Sequence, residues 1–502
     1  MNIPAIAMNG LLGVPVLFAL LTALLSRRTS DRLALGVAVV GGFATFGWSI
    51  WVALLSGDGL TGNDFDTPWI SSLDIRWHLG VDGISAPLML MSTLVFVCAL
   101  VSLIRHAPDP GGRASLAALL LVIETGVLGS FVALDMVLFF VFFEVALIPM
   151  WFVINAWGDA HDPEGRRRAA TRFLIFTVLG SASMLVGFLI VRSSAGTFDI
   201  VEIASSYTPS GSSAVLASLL VGLGLAVKTP LWPVHIWLPD AHSKAPTVGS
   251  VVLAAVLLKL GTYGFIRFWM PVTDPAWELV VPVVAALAVV GIIYAALACL
   301  AQSDLKRLIA YSSVGHMGFV VLGVATFTVG GVQAAVFASV AHGLITGLLF
   351  FIAGAIKDRY DTADLGELKL LYGKVPRLAG VFAFAAMASL GLPGLAGFWG
   401  EMLAIRAAVD QSAALPENTF VVLAVVAAFG VILTTAYFLA LMRGMLQGVP
   451  TVEATTPHPA DVQALEWVAW SPLIVLTLVF GVAPGLLMTP VADSVLSFLG
   501  GL

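Results

Sequence analysis

Six ionisable residues of this sequence stand out inside apolar runs: Glu144, Lys228, Lys259, His316, His342 and Glu401. Glutamate, lysine and histidine held away from bulk water do one kind of chemistry well, the uptake and release of protons. Lys228 belongs to Val227-Lys228-Thr229-Pro230-Leu231-Trp232-Pro233-Val234-His235-Ile236-Trp237-Leu238-Pro239, after an apolar run of about fifteen residues. Lys259 lies about twelve residues into its run. Glu144 is about nine residues into its own, or about 14 Å deep at 1.5 Å per residue. A charge at mid-bilayer costs about 2.5–3.5 kcal/mol even on lenient scales. Four lysines and glutamates at that depth need pairing or hydration, so they are expected to face one polar axis. His316, in Tyr311-Ser312-Ser313-Val314-Gly315-His316, and His342, in Ser339-Val340-Ala341-His342, have hydroxyl neighbours and an ordinary pKa near neutrality. A lone buried histidine is otherwise a hydrogen-bonded core residue. Two at similar depth favour a relay, while His235 and His242 suit an entry or a boundary.

Such residues need interrupted helices to hold them. Pro230 and Pro233 each remove a backbone donor and clash with the carbonyl four residues back, at Ala226 and Thr229. The helix is predicted to open just past Lys228. Open backbone at membrane depth is tolerated only inside protein or along a wet cavity. A simple kink with a snorkelling lysine is the competing reading, and the depth of Lys228 argues against it. The second interruption is Leu390-Gly391-Leu392-Pro393-Gly394-Leu395-Ala396-Gly397-Phe398-Trp399-Gly400-Glu401. Lys228 is placed at the C-terminus of a half-helix, whose partial charge favours a cation. Glu401 is placed in the first turn after a break, which favours an anion.

Of 502 residues, 59% are hydrophobic and 11% charged. That composition predicts an all-α polytopic membrane protein with room for about fourteen spans. Apolar segments fall at about 4–25, 33–55, 83–104, 114–133, 135–157, 171–191, 213–239, 247–270, 277–300, 306–327, 330–356, 376–407, 418–445 and 466–489. Short surface helices are expected within 193–212 and 358–375, and a polar connector over 448–463. Arg27 and Arg28 follow the first apolar run instead of preceding it, so that run is expected to be retained as a span. Eighteen of the 24 lysines and arginines fall on one side if the N-terminus is outside. Both termini are therefore expected outside, with Asp58, Asp64, Asp66, Asp74, Asp274 and Glu278 in external loops and Arg76, Arg192, Arg267 and Arg406 toward the outside. Asp135 is expected at the outer surface and Glu124 deeper. The net charge of -6 includes no basic run for nucleic acid. Cys98 and Cys299 have neither disulfide nor metal spacing and read as packing residues. No metal ligands, phosphate-cradling loop or redox-cofactor ligands are evident.

The stretch from Lys228 to His242 resembles a signature of the antiporter-like subunits of respiratory complex I, the NADH:quinone oxidoreductase. Ser303-Asp304-Leu305-Lys306-Arg307-Leu308-Ile309-Ala310-Tyr311-Ser312-Ser313-Val314-Gly315-His316 resembles the second signature. The resemblance runs over about 75–440. The family also includes subunits of multisubunit sodium/proton antiporters and membrane-bound hydrogenases, which stand as the alternative assignment. One complex I branch has glutamate in the setting of Glu401, where resemblance leads to lysine in the others. The chain also ends soon after its fourteenth segment, without a long lateral helix, and sorts with that branch.

The resemblance implies two inverted five-helix repeats with discontinuous helices 7 and 12. The divisions are then 1–113 (helices 1–3), 114–270 (helices 4–8), 271–447 (helices 9–13) and 448–502 (connector and helix 14). It implies that Glu144 pairs with Lys228 and modulates its proton affinity. Lys259 and the histidines would carry protons across the middle and Glu401 would lead to the outlet. Two charges a few Å apart interact by about 4 kcal/mol at an effective dielectric of 20, enough for that coupling. It further implies no cofactor in this chain, FMN, iron–sulfur clusters and quinone in other subunits, neighbouring antiporter-like subunits as partners, and a bacterial inner membrane. A non-conducting scaffold is the remaining alternative, and the buried charges argue against it.

Overall fold

The structure, a computed structural model, describes residues 3–27, 30–55, 64–105, 112–274, 280–448 and 460–499. Arg28, Asp58, Glu278 and most of the 448–463 connector lie outside the described residues. Among those described, thirteen helices are long and apolar enough to cross a membrane. The split span described below supplies a fourteenth.

Helices α1 (Ile3–Ser26) and α2 (Asp31–Leu55) pack together, with Trp48 Nε1 donating to the Ala7 carbonyl at 2.9 Å. Next comes an antiparallel hairpin, β1 (Phe65–Ile70) and β2 (Ile75–Leu79), in a stretch read from sequence as loop. An isolated hairpin is marginal in water, and this one is anchored. Gly80 N donates to the Val132 carbonyl at 2.8 Å and Leu134 N to the His78 carbonyl at 2.9 Å. His78 also bonds Asp199 at 2.6 Å and Asp64 at 3.1 Å.

The anchoring residues adjoin α3 (Ser85–Ser102), α4 (Arg113–Val132) and α5 (Met136–Trp157). Asp135 caps α5, accepting from Val137 N at 2.8 Å and Leu138 N at 3.0 Å, and takes Arg76 N at 3.1 Å. It is fully buried, whereas the outer surface was expected. Three N–H donors satisfy its carboxylate and make burial tolerable. The helix α6 (Pro163–Ala195) has 33 residues against the 21 expected, about 50 Å of helix. Asp162 caps it through Gly165 N at 2.9 Å, and Gly196 ends it at φ +81°. The short α7 (Ile200–Ser206) lies in the expected 193–212 loop.

Helix α8 (Gly211–Lys228) ends on Lys228 itself. Residues 229–237 turn, and α9 (Leu238–Lys244) follows. The next span, Thr247–Val272, is entirely buried and irregular in pitch. It comprises α10 (Thr247–Val252), a π turn at Leu253–Leu257, α11 (Leu258–Gly264), a second π turn at Phe265–Trp269 and a 3₁₀ turn at Met270–Val272. Arg267, expected toward the outside, is wholly buried in the second π turn and paired with Asp82.

The second half holds α12 (Val280–Leu300), α13 (Leu305–Ala325) and α14 (Val329–Tyr360). Then come α15 (Leu371–Lys374), within the 358–375 loop, α16 (Pro376–Ser389), α17 (Ala396–Val409) and α18 (Glu417–Leu446). Helices α16 and α17 are the two halves of one predicted span, 14 residues each. The last predicted span is also two helices, α19 (Ala464–Val482) and α20 (Gly485–Leu499), parted at Ala483-Pro484. Helix α14 is buried along its length at the centre of the bundle, while α18 keeps Val422, Val425 and Phe429 on an exposed apolar face.

Candidate functional site

Five elements, α11 of the first half and α13, α14, α16 and α17 of the second, bring together residues far apart in sequence. Lys259 of α11 donates to the Ala254 carbonyl at 2.7 Å and meets His342 Nδ1 of α14 at 2.7 Å. Ala254 sits in the first π turn. The wider turn lets its carbonyl serve a side chain instead of only the backbone ladder. The rings of His342 and His316 (α13) lie 5.5 Å apart, centroid to centroid. His316 Nδ1 bonds Glu401 Oε1 of α17 at 2.9 Å, and its Nε2 bonds Ser389 Oγ of α16 at 3.1 Å. A cavity of about 20 Å³ lies between them, lined by both histidines, Ser389, Glu401 and Thr346. A single water needs about 10–15 Å³, so the space matches one. Thr262 and Ser339 add a hydroxyl pair at 3.3 Å along the α11–α14 seam. Lys259, His342, His316 and Glu401 thus form one row, with every step but one a direct hydrogen bond.

The first half is looser. Lys228 is buried, with Nζ over the Phe143 ring at 4.7 Å and the Phe173 ring at 6.0 Å, and has no hydrogen-bond partner among the described residues. The expected pairing of Glu144 with Lys228 is not a direct contact: the two form no ion pair within 4.0 Å. Phe143 and Glu144 are neighbours in sequence and point about 100° apart on a helix. Lys228 packs on Phe143 and remains within electrostatic reach of the Glu144 carboxylate without touching it. Glu144 instead lies toward Ser181 and the half-exposed side of α5. No hydrogen bond joins Lys228 to Lys259 among the described residues.

Glu401 departs from expectation in one respect. Helix α17 starts at Ala396, so Glu401 falls in the second turn and not the first. The charge of a helix end fades within one turn, and the His316 ring takes over its role as partner. Lys228, by contrast, does end its half-helix. His235 and His242 are buried, with both ring nitrogens unpartnered among the described residues, His235 near the Tyr294 ring and His242 stacked on Phe350 at 4.5 Å. Glu124 is fully buried, and neither carboxylate oxygen has a partner in the described residues.

Several functional neighbours escaped sequence reasoning. Ser389 had a usable signal, since it immediately precedes the glycine-rich break. Asp82, Thr262 and Ser339 had none, because only the fold brings them to their partners. Beneath α10, a cavity of about 580 Å³ is lined by Trp157, Asp159, Lys306, Lys357, Glu466 and Trp470 among others. Burial disfavours the charged form of Asp159 there, but Lys357, the His161 N–H and Lys244 outweigh it and hold the carboxyl below its usual range. Lys306 is buried at the edge of this cavity and donates to the Ala245 carbonyl at 3.1 Å.

The profile of the family described as NADH:quinone oxidoreductase/Mrp antiporter, transmembrane, matches residues 133–430. NADH-quinone oxidoreductase subunit M of Rhodobacter capsulatus is 38% identical over 499 residues, covering 96% of this chain and 94% of the relative. The subunit M of Rickettsia prowazekii (strain Madrid E) is 34% identical over 466 residues, 91% of each. A chain in respiratory complex I from Thermus thermophilus with bound NADH superposes with a TM-score of 0.86 at 28% identity, covering 98% of this chain and 99% of that one. A chain of the Mrp complex from Dietzia sp. DQ12-45-1b shares the fold with a TM-score of 0.86 at 22% identity, covering 99% and 98%.

Proposed function

The chain belongs to the NADH:quinone oxidoreductase/Mrp antiporter membrane family, and from that premise we infer that it is an antiporter-like, proton-translocating membrane subunit of an NADH:quinone oxidoreductase, of the type called subunit M in its relatives. On this reading FMN, iron–sulfur clusters and quinone belong to other subunits, and this chain supplies the proton route. Its partners are neighbouring antiporter-like subunits and the lipid bilayer. Residues 114–270 and 271–447 form the two inverted repeats, and 1–113 and 448–502 flank them. The cationic loops face the cytoplasm of a bacterial inner membrane, and both termini face out.

The observation that carries the proposal is the row Lys259–His342–His316–Glu401. Protonated Lys259 donates to His342 Nδ1, and the ring releases its other proton from Nε2 into the one-water space. His316 takes a proton through Nε2, beside Ser389, and passes the one on Nδ1 to Glu401 Oε1. Each imidazole so accepts at one nitrogen and gives at the other, and the transfer leaves Lys259 and Glu401 both neutral until Glu401 discharges its proton and Lys259 is reloaded. Lys228 loads Lys259 from the first half. Glu144 tunes Lys228 through the field and not by contact, and His235 and His242 line the entry from the cytoplasmic side. Burial of these groups with so few partners supports transfer over scaffolding, because a scaffold gains nothing from unpaired charge at this depth.

Glu401→Gln tests the row. The complex is expected to assemble and reduce quinone, while proton passage through this subunit falls by about a hundredfold or more, the scale of a lost proton-transfer group. Proton uptake by vesicles per quinone reduced measures it. Full pumping in Glu401→Gln refutes the assignment, and sodium-stimulated proton flux without the redox subunits moves the chain to the antiporter branch.

A further inference from the structure

Two backbones meet at the second break. Gly481, one residue from the end of α19, lies against the turn between α16 and α17. A Cβ on Gly481 would stand 2.2 Å from the Gly394 carbonyl oxygen and 2.5 Å from the Leu395 Cα. Trp399 Nε1, in the first turn of α17, donates to the Gly481 carbonyl at 2.8 Å. The other end of α19 is fixed to α14, the helix that carries His342. Arg359 grips Glu466 with two bonds, at 2.9 and 2.8 Å. Helix α19 is therefore attached at one end to the histidine helix and at the other to the break that precedes Glu401.

The break needs such a seat. Gly391 and Gly394 hold φ of +82° and +92°, a region where glycine moves freely. The glutamate is close to that backbone: a Cβ on Gly391 would come within 3.3 Å of Glu401 Oε2. Backbone bonds from Leu392 N to the Met387 carbonyl (3.2 Å) and from Leu395 N to the Leu392 carbonyl (3.1 Å), with Gly397 packed on Ala388 and Gly400 on Ala338, start α17, and α19 adds the Gly481–Trp399 contact to them. We infer that α19 is a positioning element of the proton row, in which Gly481 and Trp399 hold the second break so that Glu401 Oε1 meets His316 Nδ1. Neither residue carries a proton. Gly481 allows the backbones to touch, and Trp399 fastens the contact two residues before Glu401.

The inference rests on the proton route proposed above, and its test is separable from that of the route. In the whole complex, reconstituted in proteoliposomes, Gly481→Ala and Trp399→Phe are compared with Val475→Ala, a change at an exposed α19 residue. Misplacing reacting groups by about 1 Å can slow a step about a hundredfold. Gly481→Ala is thus expected to slow proton passage about ten- to a hundredfold and to shift its pH profile, with normal amounts of assembled complex. Trp399→Phe is expected to have a smaller effect in the same direction, and Val475→Ala none. An unchanged ratio of protons to quinone in assembled Gly481→Ala overturns the inference. If Gly481→Ala does not assemble, Trp399→Phe decides, and normal pumping or failed assembly there overturns it too. If Glu401→Gln still pumps, the route itself has failed. If only the α19 variants pump normally, the route stands and the positioning role falls.

Discussion

A buried ammonium with no hydrogen-bond partner is a burden on the fold, and among the described residues Lys228 has none. Its contacts with Phe143 and Phe173 recover part of the cost, since cation–π contacts contribute about 0.5–2 kcal/mol. Replacing it by methionine removes the charge and keeps the shape. Lys228→Met is expected to assemble with a melting temperature no lower than the parent's, while proton transfer stops. Thermal unfolding of the purified complex beside a pumping assay checks both halves, and a marked loss of stability would mean that the ammonium is a structural bond after all. The ionisable residues were legible because lysine, glutamate and histidine in apolar runs stand out. Their partners were not. His342 is 83 residues from Lys259 and Glu401 is 85 from His316. Glu144 and Lys228, expected to pair, are coupled electrostatically but make no direct contact within 4.0 Å.

At the scale of elements, proline and glycine located both breaks, because each disables the helix in a way that sequence displays. The same signal at Pro484 separates α19 from α20, where a single span was drawn. The π turns that flank Lys259 leave no compositional mark, and the hairpin β1–β2 owes its stability to anchors at Val132, Leu134 and Asp199, which lie outside the strands. Helix α19 depends on the Arg359–Glu466 pair, nearly fully buried. Removing one partner of such a pair leaves an uncompensated charge and costs about 3–5 kcal/mol. Glu466→Ala should loosen the last two helices, seen as faster protease cleavage within α19 and α20, while Glu466→Gln, which keeps some hydrogen bonds, should lose less. Equal resistance of both variants and parent would show that packing alone holds α19.

At the scale of the whole molecule, the hairpin end carries a pH-dependent contact. At the hairpin end, burial opposes charging of His78, but Asp199, Asp66 and Asp64 outweigh it and raise its pKa above the ordinary value. Burial likewise opposes charging of Asp199, yet His78 and the α7 N–H groups lower its pKa. A raised histidine stabilises the fold fully below its unfolded pKa and loses that contribution as pH rises through the folded one. A depressed aspartate does so above its unfolded pKa and loses it as pH falls. The pair is thus strongest between about pH 4 and 6.5, the ordinary values of the two groups. Hydrogen-exchange protection across residues 65–79, taken relative to the intrinsic amide rate at each pH, is expected to be greatest in that window and to fall above it, with His78→Gln flattening the profile. A flat profile in the parent protein would show the pair to be inert. The row in the middle has another property at this scale. Lys259 is near the midpoint of the span Thr247–Val272, His342 near the midpoint of α14 and His316 near that of α13, and Glu401 follows the mid-span break. A proton passed along these residues travels sideways at nearly constant depth. The transmembrane voltage does work of about 2.3 kcal/mol per charge per 100 mV only on movement along the membrane normal. The lateral leg is therefore nearly blind to voltage, and the electrical load of pumping falls on loading at one face and discharge at the other.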